Sequence, residues 1–432
     1  PHLDHGPWRS VRTKAVVLAS LAIVFDGFDN QVLGFALPAI TRDWGVERSA
    51  FGTIFALGFL GMIIGTIAGG WIGDRWGRRT GLAVSVFVFG AGTAATALTH
   101  GLDGIAACRF IAGIGLGAAL PSATALISEF SPLRHRHIMV TAGIVCIPLG
   151  GVVGGLIAAP LLPTIGWRSL FLIGGILPFI TGGLLILALP ESPRFLLRRA
   201  ERRSDLVHTL EQMGIDVPEN ATVIDGSRRP DGQRISTTEL LRPAYRMDTI
   251  GLWIAFFFCF LAVYTVFNWA PSMLAALGFG LRETSLGLTV FNVGGVAGAL
   301  IGAWSVNRFG SRTVMLAASL LAIASTAAMT IVGIRGVSMS LMILMLLAGA
   351  FINAVQSLMY ALAAQVYPTD IRATGIGTTA GVGRSGAIVA SLVGAILIDG
   401  GQIRYFGALA ISMAIAGLGV VLVRRHIPST TP

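Results

Sequence analysis

Asp26 and Asp29, in the stretch Phe25-Asp26-Gly27-Phe28-Asp29-Asn30-Gln31, set two carboxylates three residues apart inside a long apolar run. On a helix that spacing puts them on one face, where they repel each other and compete for ionisation, so one of them can take up and release a proton. Arg109 and Arg384 stand in apolar runs of their own. An arginine keeps its charge and offers five donors in a planar fork, which suits bidentate capture of a carboxylate. A charge at the centre of a bilayer costs at least about 2.5 kcal/mol, so each of these four residues needs a partner, a watery cavity or a task. The plain alternative for each is a permanent Asp–Arg pair that serves packing alone. No histidine falls inside an apolar run, which leaves the carboxylates as the proton sites.

Further polar groups fall at similar depth. Tyr264 and Asn268 share one helix face, and Asn353, Gln356 and Tyr360 follow i, i+3, i+7 spacing on another, with Phe267, Trp269 and Phe291 close in sequence depth. These can hydrogen-bond a cargo's hydroxyl or second acid group, or serve equally as glue between helices. Gly27 weakens its helix locally and admits a close neighbour. Cys108, Cys146 and Cys259 show neither ligand spacing nor paired histidines, so no metal or disulfide is expected from them.

The elements that must position these residues are legible from composition. The 432 residues are 54% hydrophobic and 12% charged, more apolar surface than a water-soluble core of this length buries. Runs long enough to cross about 30 Å of hydrocarbon cover 15–39, 51–73, 80–99, 103–127, 138–160, 169–189, 249–272, 284–306, 313–333, 338–364, 373–398 and 404–423. Lipid offers backbone groups no partner, so these twelve spans are helices. The net charge of +10 could suggest nucleic acid, but its placement says otherwise. Arg9, Arg12, Lys14, Arg75, Arg78, Arg79, Arg134, Arg136, Arg308, Arg312, Arg372, Arg424 and Arg425 fall on one side, together with the 190–247 stretch. The other side holds Arg42, Arg48, Arg168, Arg282, Arg335 and Arg404. The positive-inside rule therefore places both termini in the cytoplasm, and the first run, long and continuing into further spans, does not read as a cleavable leader.

Six spans, a polar linker and six more spans divide the chain into 1–189, 190–248 and 249–432. An internal repeat agrees. Gly70-Trp71-Ile72-Gly73-Asp74-Arg75-Trp76-Gly77-Arg78-Arg79 recurs as Ala303-Trp304-Ser305-Val306-Asn307-Arg308-Phe309-Gly310-Ser311-Arg312. Ser128-Glu129-Phe130-Ser131-Pro132 pairs with Ala364-Gln365-Val366-Tyr367-Pro368, and Thr141-Ala142-Gly143 with Thr379-Ala380-Gly381. All three offsets lie near half the chain length, as duplicated halves around a central cavity require.

The first of these motifs, its weaker second copy and Pro190-Glu191-Ser192-Pro193-Arg194 after span six resemble the major facilitator superfamily along the whole chain. The resemblance implies an all-α membrane protein with twelve transmembrane helices in two six-helix bundles related by a pseudo-twofold axis. It also implies that Asp74, Arg75, Arg78, Arg79 and Glu129 form a cytoplasmic gate, weaker in the second half where Asn307 and Gln365 replace acids. Arg109, in Arg-x-x-x-Gly-x-Gly-x-Gly, resembles an arginine that braces span one and supports proton coupling, at a depth where it can reach Asp29.

Within the superfamily, Asp26-Gly27-Phe28-Asp29, Gly115-Leu116-Gly117-Ala118-Ala119-Leu120-Pro121, Arg372-Ala373-Thr374-Gly375 and Arg384 resemble the aromatic acid:proton symporter family. The resemblance implies a proton-coupled importer of benzoate- or hydroxybenzoate-type acids in the cell membrane. It has no cofactor beyond the coupling proton, no enzymatic activity and no nucleic-acid partner, and is read as a monomer in the lipid bilayer. Asp26, Asp29 and Arg109 would couple protons, while Arg384, Tyr264, Asn268, Asn353, Gln356 and Tyr360 would hold the cargo. A sugar porter is the nearest rival, but a neutral sugar gives no reason to bury Arg384. Drug antiport is disfavoured because Ile147-Pro148-Leu149-Gly150-Gly151 departs from the antiporter pattern. A transporter-like sensor would need an appended signalling domain.

Overall fold

The computed structural model describes residues 8–215, 237–331, 339–368 and 370–429. The first six spans become α1 (Ser10–Trp44), α2 (Ala50–Trp76), α3 (Arg78–Thr96), α4 (Leu102–Phe130), α5 (Leu133–Thr164) and α6 (Trp167–Ala188). In the polar linker, α7 (Pro193–Leu197) and α8 (Arg203–Gln212) are short, and 216–236 lie outside the described residues. The chain continues as α9 (Arg246–Ala276), α10 (Leu281–Ile331), α11 (Met339–Val366), α12 (Arg372–Asp399) and α13 (Gly401–Leu422). No strand occurs among the described residues.

Ten of these helices are long and apolar enough to cross a membrane. Of these, α10 is 51 residues long and carries both span eight and span nine, because its helical path breaks at Gly310 (φ 75, ψ 156). Helix α3 supplies the remaining expected span, with Arg78 and Arg79 in its 19 residues. Several helices outrun the apolar stretch read from sequence, α1 by a turn at each end, and in its first turn buried Arg12 donates to the Phe130 carbonyl at 3.2 Å. Arg335 lies outside the described residues.

The repeat has a structural counterpart. Gly77, between α2 and α3, has φ 105, and Gly310 in the second copy has φ 75, a left-handed conformation that other residues rarely adopt. Both copies therefore turn sharply at the same glycine. Polar side chains within helices are mostly satisfied locally: the hydroxyls of Thr124, Thr181 and Thr265 each donate to the carbonyl four residues earlier. Large apolar side chains such as Ile67, Leu187, Leu320, Ile396 and Leu418 are exposed, as a lipid-facing surface requires.

The described chain divides into two compact units, Pro1–Gly27 with Leu60–Gly150 and Phe171–Gln233, and Phe28–Phe59 with Gly151–Leu170 and Arg234–Pro432. In the first, α2 and α4 approach so closely that a Cβ at Gly61 or Gly65 would strike the carbonyl of Phe110 or Ile114. In the second, a Cβ at Gly34 would strike the Phe267 carbonyl, and one at Gly349 the Phe291 carbonyl. Small residues thus set helix spacing where lipid supplies no hydrophobic drive between helices.

Candidate functional site

Helix α1 contributes Asp26 to the first unit and Asp29 to the second. Both are buried, at 3% and 2% exposure. Gly27 between them has no room for a side chain, because a Cβ there would overlap the Ile147 backbone of α5. Arg109 on α4, 6% exposed, donates to the Thr93 hydroxyl at 2.7 Å and the Thr96 hydroxyl at 3.5 Å. Its guanidinium stands 5.5 Å from the Phe171 ring. These contacts fix where an arginine in an apolar span directs its charge.

In the second unit, the predicted cargo residues fall along α9, α11 and α12. Arg384 is half-buried, and its neighbour Gly383 lies where a Cβ would meet Phe260 at 3.2 Å and Phe256 at 3.4 Å. The missing side chain lets α12 settle against these rings and carries the Arg384 backbone up to them. Phe256 and Phe260 stack with centroids 5.9 Å apart, and Tyr360 meets Phe256 edge-on at 5.2 Å. The Arg384 charge lies within electrostatic reach of the Tyr360 hydroxyl. Tyr264 continues the aromatic wall, 5.7 Å from Phe260 and 5.7 Å from Phe267, which in turn meets Phe291 at 6.1 Å. Such geometry offers ring faces and edges to an aromatic guest beside a fixed cation.

The amides divide. Gln356 is half-buried and makes no hydrogen bond among the described residues, which leaves its amide available. Asn353 returns its amide N–H to the Gly349 carbonyl at 2.9 Å and packs on Gly295, a helix-stabilising arrangement. Asn268 donates to the Ser391 hydroxyl at 3.2 Å, while its buried carbonyl oxygen has no partner among the described residues. Two more buried polar atoms nearby on α9, the Trp269 indole nitrogen and the Ser272 hydroxyl, are likewise unpartnered.

Toward the end of α1 opposite the basic turns, the second unit is tightly closed. Gln31 and Asn292, both 0% exposed, exchange two amide hydrogen bonds at 3.2 and 2.7 Å across 261 positions. Phe55 packs on Trp269 at 5.5 Å and Phe59 on Tyr264 at 4.7 Å. Arg48 lies 3.8 Å from Asp399.

At the basic turn of the first unit, Asp74 and Arg78 form an ion pair at 2.6 Å, and the Arg75 guanidinium sits 5.5 Å over Trp71. Arg79 is held by Glu191, which accepts its backbone N–H at 2.8 Å beside Gly77, and its guanidinium donates to the Leu189 carbonyl at 3.0 Å. Glu129 accepts a short hydrogen bond from the Ser192 hydroxyl. Glu191 and Ser192, both buried at this junction, hold it together, yet in the sequence they stood out only as part of a motif. Phe256 and Phe260 were missed as well.

The profile "Sugar (and other) transporter" matches residues 15–427. The chain is 34% identical to the 4-hydroxybenzoate transporter PcaK of Pseudomonas aeruginosa, covering 97% of this chain and 94% of that one. It is 33% identical to a gallate transporter of Pseudomonas putida, over 92% of this chain and 88% of that one. Among solved structures it superposes on a D-xylose-proton symporter with a TM-score of 0.73 at 19% identity, covering 98% and 99% of the two chains.

Proposed function

The chain belongs to the sugar (and other) transporter family of the major facilitator superfamily, and from that premise we propose that it imports a small aromatic carboxylate together with protons. The observation that carries this reading is Arg384 set beside an aromatic wall of Phe256, Phe260, Tyr264 and Tyr360. The guanidinium takes the carboxylate, the rings take the aromatic face, and the Gln356 amide takes a ring hydroxyl. Curated relatives named for 4-hydroxybenzoate and gallate transport support the cargo class.

In this reading the buried Asp26 and Asp29 carry the coupling proton, with Arg109 as the charge that biases them. Protonation neutralises inserted charge, which makes inward movement of an anion feasible. Alternating access would give a use to the buried polar atoms of Asn268, Trp269 and Ser272 that lack a hydrogen-bond partner among the described residues, since an unsatisfied buried group costs about 1–3 kcal/mol. The basic turns then face the cytoplasm of the cell membrane, and the Gln31–Asn292 closure faces outside.

The test is uptake of labelled 4-hydroxybenzoate into proteoliposomes under an imposed proton gradient. Wild type should accumulate the label, and Arg384→Ala should lose on the order of 10- to 100-fold in uptake efficiency, the worth of a charge-assisted hydrogen bond. Unchanged uptake by Arg384→Ala would remove the anion anchor, and no accumulation by wild type of any benzoate-type acid would remove the cargo class.

A further inference from the structure

The chain beyond α13 stays bound to its own unit. Val423 leaves the helix extended (φ −70, ψ 130), and residues 424–429 run past the start of α9, the bend of α10 and the end of α11. Asp248, buried in the first turn of α9, accepts the Arg424 backbone N–H at 2.5 Å and lies 3.8 Å from the Arg425 guanidinium. That guanidinium stands 4.5 Å over the Tyr245 ring and donates to the Val366 carbonyl, the last residue of α11, at 3.5 Å. Ser311, wholly buried at the α10 bend, completes the attachment. Its backbone N–H donates to the Ile427 carbonyl at 2.9 Å, its hydroxyl oxygen accepts the Ile427 N–H at 2.9 Å, and His426 Nδ1 lies 3.2 Å from the same oxygen.

This arrangement mirrors the first half with different chemistry. After α6, the Glu191 carboxylate takes the Arg79 N–H beside Gly77. After α13, a backbone carbonyl takes the Ser311 N–H beside Gly310, the glycine that aligns with Gly77 in the repeat. Main-chain hydrogen bonds thus hold the turn of the second half where the Glu191 carboxylate holds that of the first.

The strap's imidazole contacts the protein through both ring nitrogens. Its Nε2 lies 3.0 Å from the Val423 carbonyl and must donate, so in the neutral ring Nδ1 accepts from the Ser311 hydroxyl while that oxygen accepts from Ile427. A second proton would turn Nδ1 into a donor and add charge next to Arg312 of α10 and the strap's own Arg424 and Arg425, opposed by the Asp248 carboxylate of α9.

We propose that residues 424–429 are a strap that holds the start of α9, the bend of α10 and the end of α11 together during transport, and that acid on its own side loosens it by protonating His426. Burial, followed by Arg312, moves the docked imidazole below its ordinary value of 6.5. The docked state therefore binds fewer protons than the free one. Docking is at full strength above about pH 6.5 and weakens as pH falls below it. If the strap faces the cytoplasm, which rests on the function and orientation proposed above, acid delivered with the cargo slows further import.

Two measurements separate the strap from the cargo reading. Amide hydrogen exchange of the purified protein needs no substrate. At about pH 6, peptides spanning 308–314 should be several-fold less protected in wild type than in His426→Asn, and in Ile427→Pro, which lacks the N–H, they should be unprotected at either about pH 6 or about pH 7.5. Equilibrium exchange of 4-hydroxybenzoate, at equal pH on both sides of proteoliposomes, should fall several-fold between about pH 7.5 and 5.5 in wild type. His426→Asn should stay nearly flat, and His426→Arg should be slow throughout. Wild-type protection at 308–314 in Ile427→Pro would overturn the strap. A pH profile of His426→Asn matching wild type in both assays would overturn the role of His426. Absence of any 4-hydroxybenzoate exchange would count against the cargo reading and leave the hydrogen-exchange result to decide the strap.

Discussion

At the scale of single residues, proton site and cargo site ask different questions of a substitution. Asp26→Asn and Asp29→Asn keep shape and remove the titratable group, so at least one should abolish accumulation driven by a proton gradient while leaving exchange of internal for external cargo. Counterflow measured beside gradient-driven uptake checks this, and both variants still concentrating 4-hydroxybenzoate would move coupling elsewhere. For the ring, Phe260→Ala should raise KM roughly threefold to tenfold, the worth of one aromatic contact, with a smaller effect on a non-aromatic acid of similar size. Arg384 and the aspartates were readable because charge in an apolar run stands out against its surroundings. Phe256 and Phe260 were not, since Ile254-Ala255-Phe256-Phe257-Phe258-Cys259-Phe260 is apolar on every side. Which ring faces the site is decided by Gly383 on another helix, and no local pattern encodes that partnership.

At the scale of helices, the Gln31–Asn292 pair is the polar tie of the closed end. Each amide is wholly buried, so Gln31→Leu or Asn292→Leu leaves the other side chain short of a partner, at a cost of about 1–3 kcal/mol, whereas the double Leu variant should recover part of it. A thermal-unfolding double-mutant cycle measures the coupling, and strictly additive losses would mean the pair contributes nothing as a pair. The helices themselves were legible, because hydrocarbon allows no other backbone solution for an apolar run of this length. The 261-residue separation of this pair was not, and neither was Glu191's grip on the Arg79 backbone, since a motif names residues without saying which N–H a carboxylate will take.

At the scale of the whole molecule, the closed end carries a cost that the proposed alternating access would account for. Asn268, Trp269 and Ser272 each bury a polar atom with no partner, close to rings and glycines that otherwise pack well. A permanently closed scaffold would gain by replacing them with apolar groups of the same shape. The alternating access proposed above would keep them polar, because the same surface would then meet water in the other state. Ser272→Cys, in a background with Cys108, Cys146 and Cys259 replaced by alanine, makes this measurable. The thiol should react with a membrane-impermeant reagent added outside, slowly while the closed form prevails, and at a rate that shifts when 4-hydroxybenzoate or a proton gradient redistributes the states. A thiol that never reacts from outside in protein that still transports would show this face to be static, and the unpartnered atoms would then need a different explanation.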